Sequence, residues 1–296
     1  MIVTSKGMRS TRRLAILAMS SLAAYVALSL PMASSAAAAA ACPTDLGVSQ
    51  PGKLVMSVNA TIPPKQYIDK DGKLKGLHID LGNEIAKRLC LQPVYMNVAF
   101  EAQIPGLQNK RWDMINTGLY YTADRAKLMQ LIPYTENALA LIVPAGNPMK
   151  VKSPEDLAGR VVGTEIAGFE EKKLREVNAQ MVAKGFKPMD IRVFNTYGDV
   201  FQALGSRQID AVFAGDAVGK YYQEQGQFTM AVTGLYPGSP GAFATDNPKL
   251  AAAVVTALDA MRADGTYAKL MDTDGATKIE SWKEWKGHFA SYYFPG

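Results

Sequence analysis

Reactive side chains are scarce in this 296-residue chain, which holds two cysteines, two histidines and three tryptophans. Cys42, Cys90, His78 and His288 make no spaced metal-ligand set, and neither a Gly-x-Ser-x-Gly elbow nor a phosphate-cradling glycine loop occurs. These absences speak against structural zinc, hydrolase-elbow chemistry and P-loop nucleotide hydrolysis, and no cofactor is expected. A stripe of Lys and Arg with interleaved aromatics is also missing, so nucleic acid is not an expected partner. Beyond residue 30, no apolar run is long enough to cross a bilayer.

What is present begins with a basic start at Lys6, Arg9, Arg12 and Arg13, an apolar run over 14–30 and small residues over 33–41. That layout predicts a cleaved secretory signal over 1–41 rather than an anchor. It also explains the formal net charge of +5, since these four basic residues have no acidic counterpart there. The rest of the chain carries 28 basic against 27 acidic residues and exerts no net pull on polyanions. After export Cys42 and Cys90 have three fates: a disulfide, two free thiols, or lipidation of Cys42, the last disfavoured by Ala39 where a lipobox usually has Leu.

The remaining length, about 255 residues, suffices for two lobes with their own cores. Strand-like runs at 53–58, 94–98, 113–117, 190–194 and 209–215 alternate with helical patterns at 78–89, 198–207 and 216–226, which predicts an α/β fold with largely parallel sheets. On the first of these helices Leu81, Ile85 and Leu89 share a face. Thr122 is a good cap for a helix carrying Arg125, and Pro237, Gly238, Pro240 and Gly241 read as a loop. Extended segments near 137–143 and 230–236 predict two parallel crossing strands that act as a hinge, with a ligand cleft between the lobes.

Four stretches, "PPKQYIDKDGKLKGLHIDLGNEIAKRL", "FEAQIPGLQNKRWDMINTGLYYTADRAK", "SRQIDAVFAGD" and "NPKLAAAVVTALDAMRADGTYAKL", run in order across nearly the whole exported chain. Together they resemble the family 3 extracytoplasmic solute-binding proteins, the polar amino-acid receptors of ABC importers. The resemblance implies a two-lobed periplasmic-binding-protein type II fold, with lobe 1 over 42–137 plus 236–296 and lobe 2 over 138–235. It also implies a periplasmic monomer that captures an amino-acid-like solute and hands it to a membrane permease of an ABC importer.

By the same resemblance Arg125 grips a solute carboxylate, a task that suits the paired donors of guanidinium. Gly118 and Thr122 accompany it, and free amides at a helix start would add donors. Pairing of Arg125 with Asp124 or Glu136 is the alternative. Tyr120 stands where the family usually has Ser or Thr. Gly168 and Phe169 replace the hydroxyls of the second-lobe turn, and Glu165 and Glu170 flank it. The family's ammonium-binding aspartate falls on Gly215, with Asp216 adjacent as ligand or as helix cap. Phe100 takes the place of an aromatic against the solute, Ile62 replaces another with Tyr67 nearby, and Asn59 lies where relatives read the side chain. Asp80 is read as structural. Two further readings stay open: an enzyme of the same fold such as a cyclohexadienyl dehydratase, using Glu101, Glu165 or Glu170 as acid, and a ligand-sensing receptor.

Overall fold

A computed structural model describes residues 42–279; the expected signal over 1–41, and residues 280–296 with His288, lie outside the described residues. The chain first forms β1 (Lys53–Val58), β2 (Thr61–Ile62), β3 (Gln66–Ile68), β4 (Leu74–Lys75), α1 (Leu77–Arg88), β5 (Gln92–Asn97), α2 (Gln103–Gln108), β6 (Met114–Tyr120), α3 (Ala123–Ala126) and β7 (Gln130–Pro144). It continues through β8 (Val161–Glu165), α4 (Phe169–Ala183), β9 (Asp190–Phe194), α5 (Tyr197–Gly205), β10 (Ala211–Gly215), α6 (Asp216–Glu224), β11 (Phe228–Thr245), α7 (Pro248–Ala263), α8 (Thr266–Thr273) and β12 (Thr277–Lys278).

One sheet runs in the order β5-β1-β6-β11-β7-β10-β8-β9, with β12 added to β7, beside a small sheet of β2, β3 and β4. β1 is parallel to β5 and β6, and β8 is parallel to β9 and β10, so each end of the order is a parallel group. The long central strands belong to both groups: β11 pairs with β6 at 241–244, and β7 pairs with β10 at 139–142. Two α/β lobes thus share a pair of strands.

Side-chain alternation along the strands buries both sheet faces. Leu54 and Met56 pack with Leu81, Ile85, Leu250 and Leu258, whereas Val55 between them packs with Leu107, Trp112 and Ile115. In the second lobe Leu139 and Leu141 join Leu174 and Phe213, while Ala140 and Ile142 join Val200 and Phe201. Leu81 and Ile85 on α1 and Leu89 at its C-cap are all buried, as their shared face predicts. Each such side chain contributes about 1.5–3 kcal/mol on leaving water.

Two expectations are corrected. The crossing strands β7 and β11 run antiparallel, because the chain leaves the first lobe on one and returns on the other. The stretch with Pro237, Gly238, Pro240 and Gly241 lies inside β11 rather than in a loop. Its pairing with β7 slips between Leu235 and Ser239 and between Gly241 and Ala242. Tyr236 and Gly238 adopt φ of 51° and 72° at the first slip, so the prolines are accommodated at an irregular ladder.

Cys42 and Cys90 form a disulfide that ties the start of the described chain to the end of α1. No helix among the described residues is long and apolar enough to cross a membrane.

Candidate functional site

The C-terminal ends of β1, β6, β8 and β10 converge between the lobes, the place where open α/β sheets hold ligands. A cavity of about 40 Å³ lies there, room for a few waters. Its walls include Lys65, His78, Phe100, Glu165, Glu170 and Tyr197. A groove of about 740 Å³ adjoins it, and Lys65, Asn137 and Ala217 line both. The inner space is small because the lobes touch. Asn59 Nδ2 donates to Glu165 Oε1 at 2.7 Å, and the rings of Tyr120 and Phe169 stack with centroids 4.7 Å apart. Lys172 Nζ reaches Asp124 Oδ2 at 3.4 Å on the exposed flank.

Arg125 is placed by its own turn. Thr122 caps α3, accepting from the Arg125 amide at 3.1 Å, and this sends the arginine side chain towards the second lobe. Nη1 donates to the Tyr120 carbonyl at 2.9 Å, Nη2 to the Ala167 carbonyl at 3.4 Å, and the guanidinium lies 5.6 Å from the Phe100 ring centroid. Burial lowers its pKa to about 10, with the nearby charge of Glu170 opposing that shift. Neither Asp124 nor Glu136 pairs with it: Asp124 is held by Lys127 and Lys172, and Glu136 is paired through its backbone in β7.

The second lobe brings acids. Glu165 ends β8 fully enclosed, and burial pushes its carboxyl up to about 8 despite the hydrogen bond from Asn59. Glu170 in the first turn of α4 is raised by burial too, an effect opposed by its own amide, by Tyr197 and by the charges of Arg125 and Lys65. From the first lobe come Lys65 and His78. Lys65 donates to Asn137 Oδ1, and burial lowers its pKa against the attraction of Asp216, Glu170 and Asp274. His78 is 1% exposed, and neither ring nitrogen has a hydrogen-bond partner. Burial, then the neighbouring Lys65 charge, hold it well below the ordinary histidine value, so it is neutral.

Of the residues expected at the site, Phe100, Gly118 and Tyr120 line the inner cavity. Gly118 has φ 67°, and an added Cβ there would stand 2.4 Å from His78 Cε1, so a larger residue would collide with the imidazole. Asn59 sits behind the wall on Glu165, Thr122 serves as a cap, and Phe169 is spent on Tyr120. Gly168 caps α4, and the adjacent Ala167 amide is taken by Glu171 Oε2 at 2.7 Å. Asp216 opens α6, accepts from the Ala217 amide at 2.8 Å and faces the outer groove. Sequence reasoning passed over Lys65, His78, Thr117, Asn137 and Tyr197 as cavity walls. A signal existed for one of them: Tyr197 begins the helix after β9. Among the described residues no group of three or more His, Cys, Asp or Glu is arranged to hold a metal.

The profile of a family described as bacterial extracellular solute-binding proteins, family 3, matches residues 54–273. The chain is 28% identical over 234 residues to ABC transporter arginine-binding protein 1 of Escherichia coli K12, covering 76% of this chain and 92% of that protein. A solved ancestral arginine-binding protein bound to arginine superposes with TM-score 0.69 and 32% identity, over 75% of this chain and 97% of that one. The ancestral amino acid-binding protein AncCDT-1, a precursor of cyclohexadienyl dehydratase, superposes with TM-score 0.66 and 27% identity, over 75% and 94% respectively. The fold is the two-lobed type II arrangement of these proteins.

Proposed function

From the premise that this chain belongs to the bacterial extracellular solute-binding proteins, family 3, we propose that it captures an amino acid or amino-acid-like compound in the periplasm and delivers it to the membrane permease of an ABC importer. Lobe 1 comprises 42–137 plus 236–296, lobe 2 comprises 138–235, and the protein acts as a monomer after its signal over 1–41 is removed. One observation carries this reading. Arg125 is a half-buried guanidinium between the lobes whose hydrogen bonds, among the described residues, go to the backbone carbonyls of Tyr120 and Ala167 and to no carboxylate. A cation so placed and left without a carboxylate is stabilised by an anion that comes from outside the fold.

Solute enters when the lobes part, since the closed cavity holds too little space for it. Its carboxylate meets Arg125; Phe100 and Tyr120 shape the pocket on one side with Asn59 and Phe169 supporting the wall from behind, and Gly168 and Asp216 contribute from the other. Preferential affinity for the closed form then shifts the open-to-closed balance. Calorimetry of the exported protein against amino acids, opines, betaines and small dicarboxylates tests this. Saturable binding without turnover supports it, and silence across the whole panel removes it.

A second reading, an enzyme of this fold such as a cyclohexadienyl dehydratase, is favoured by one feature: Glu165 and Glu170 both line the cavity with carboxyls raised towards the protonated form that a general acid needs. Product formation from a cyclohexadienyl acid would decide for it.

A further inference from the structure

Each lobe supplies one end of the Asn59–Glu165 hydrogen bond: Asn59 follows β1 in the first lobe, and Glu165 closes β8 in the second. Glu165 is 3% exposed, and the first lobe completes its enclosure. The charges that face it there are of one sign. Glu101, from the short helical turn Phe100–Ala102, approaches from the first lobe, and Glu170 from the first turn of α4. Tyr197 at the start of α5 also faces it, a phenol kept neutral by burial. The cations Lys65 and Arg125 act on Glu170, while His78 and Tyr120 are held neutral by burial.

Meeting of the lobes therefore takes the Glu165 carboxyl out of water and sets it among two acids. Loss of water and like charge both disfavour its ionised form. The bond from Asn59 favours that form, but burial outweighs it. A protonated carboxyl still accepts from Asn59 Nδ2, so the contact persists when the proton is held. When the lobes part, the bond breaks and the carboxyl regains water, where a Glu titrates at about 4.3.

We infer that closure of the lobes around solute takes up a proton at Glu165, so that capture is tighter at mildly acidic pH and weakens as the pH rises. This rests on the proposed capture of solute between the lobes and adds its regulation. The closed form holds the proton up to about pH 8, and the open form releases it above about pH 4.3. The affinity that protonation confers is complete below the lower value and is lost as pH rises through the upper one.

Titration calorimetry with L-arginine, L-lysine and L-glutamine at pH 5.5 and pH 8 tests it, each probe carrying the same charge at both values. In the unaltered protein at least one probe binds tenfold or more tighter at pH 5.5. Repeating the titration at pH 7 in phosphate and in Tris, whose ionisation enthalpies differ, shows more than half a proton taken up per solute bound. Glu165→Gln keeps the acceptor for Asn59 and removes the titration, so its affinity ratio is threefold or less and its proton uptake is lost. Thermal melts of the variant within a few degrees of the parent show that folding is intact. A parent ratio below tenfold, or one that persists in Glu165→Gln, overturns the inference. Proton release on binding would mean that solute pairs with an ionised Glu165, and it overturns the inference too. Should a probe bind in either of these ways, capture between the lobes stands and only the proton linkage falls. Should no probe bind at millimolar concentration, both fall.

Discussion

Asn59 at the end of β1 and Glu165 at the end of β8 are joined by a 2.7 Å hydrogen bond that spans the two lobes. The bond requires only an acceptor oxygen, so it survives protonation of the carboxyl, whose pKa is pushed up to about 8 by burial. An unfolded Glu titrates near 4.3. The folded protein therefore holds a proton at Glu165 that the unfolded chain releases between about pH 4.3 and pH 8, and stability contributed by this residue is greatest below that window and is lost as pH rises through it. Glu165→Gln keeps the acceptor and removes the titration. Chemical denaturation at pH 5 and pH 8.5 is expected to show a smaller drop for the variant than for the parent; equal drops would exclude Glu165 as the source.

Arg125→Ala is expected to weaken solute binding by about 100-fold or more, the scale of a charge-assisted pair. The empty protein should melt within about 2 °C of the parent, because the lost contacts are two bonds to carbonyls and one ring contact. Unchanged affinity would take the guanidinium out of the site.

Gly118→Ala should destabilise by about 1–3 kcal/mol, through both a positive φ and the collision with His78. Urea unfolding measures this. A variant as stable as the parent would mean that the helix bearing His78 can move aside.

The disulfide closes a loop with a sequence separation of 48 residues, for which loss of chain entropy in the unfolded state amounts to about 4 kcal/mol. Reductant should lower the melting temperature by about 5–15 °C, and mass spectrometry without reductant should find no alkylatable thiol in the exported protein. A thiol titre of two would contradict the bridge.

Strand and helix positions were legible because both faces of this sheet are buried and its helices carry regular apolar stripes, as Leu81, Ile85 and Leu89 illustrate. The route of the chain between lobes was less so. Pro237 and Pro240 look like loop residues in sequence, and only the slipped pairing with β7 shows how a strand absorbs them. At the site, Arg125 and its cap could be read from a local motif. Lys65, His78 and Asn137 could not, since they come from three separate segments and are brought together by tertiary packing alone. Phe169 illustrates the opposite difficulty: the position was found, but its ring stacks on Tyr120 and does not line the cavity.

Because the chain goes out along β7 and comes home along β11, the second lobe is an excursion from a body that keeps both ends of the described chain, the Cys42 bridge to α1 and the β12 strand on β7. A surface or fusion partner attached at either end therefore grips the same half of the molecule. Tension applied between Cys42 and Ile279 would therefore bypass the second lobe.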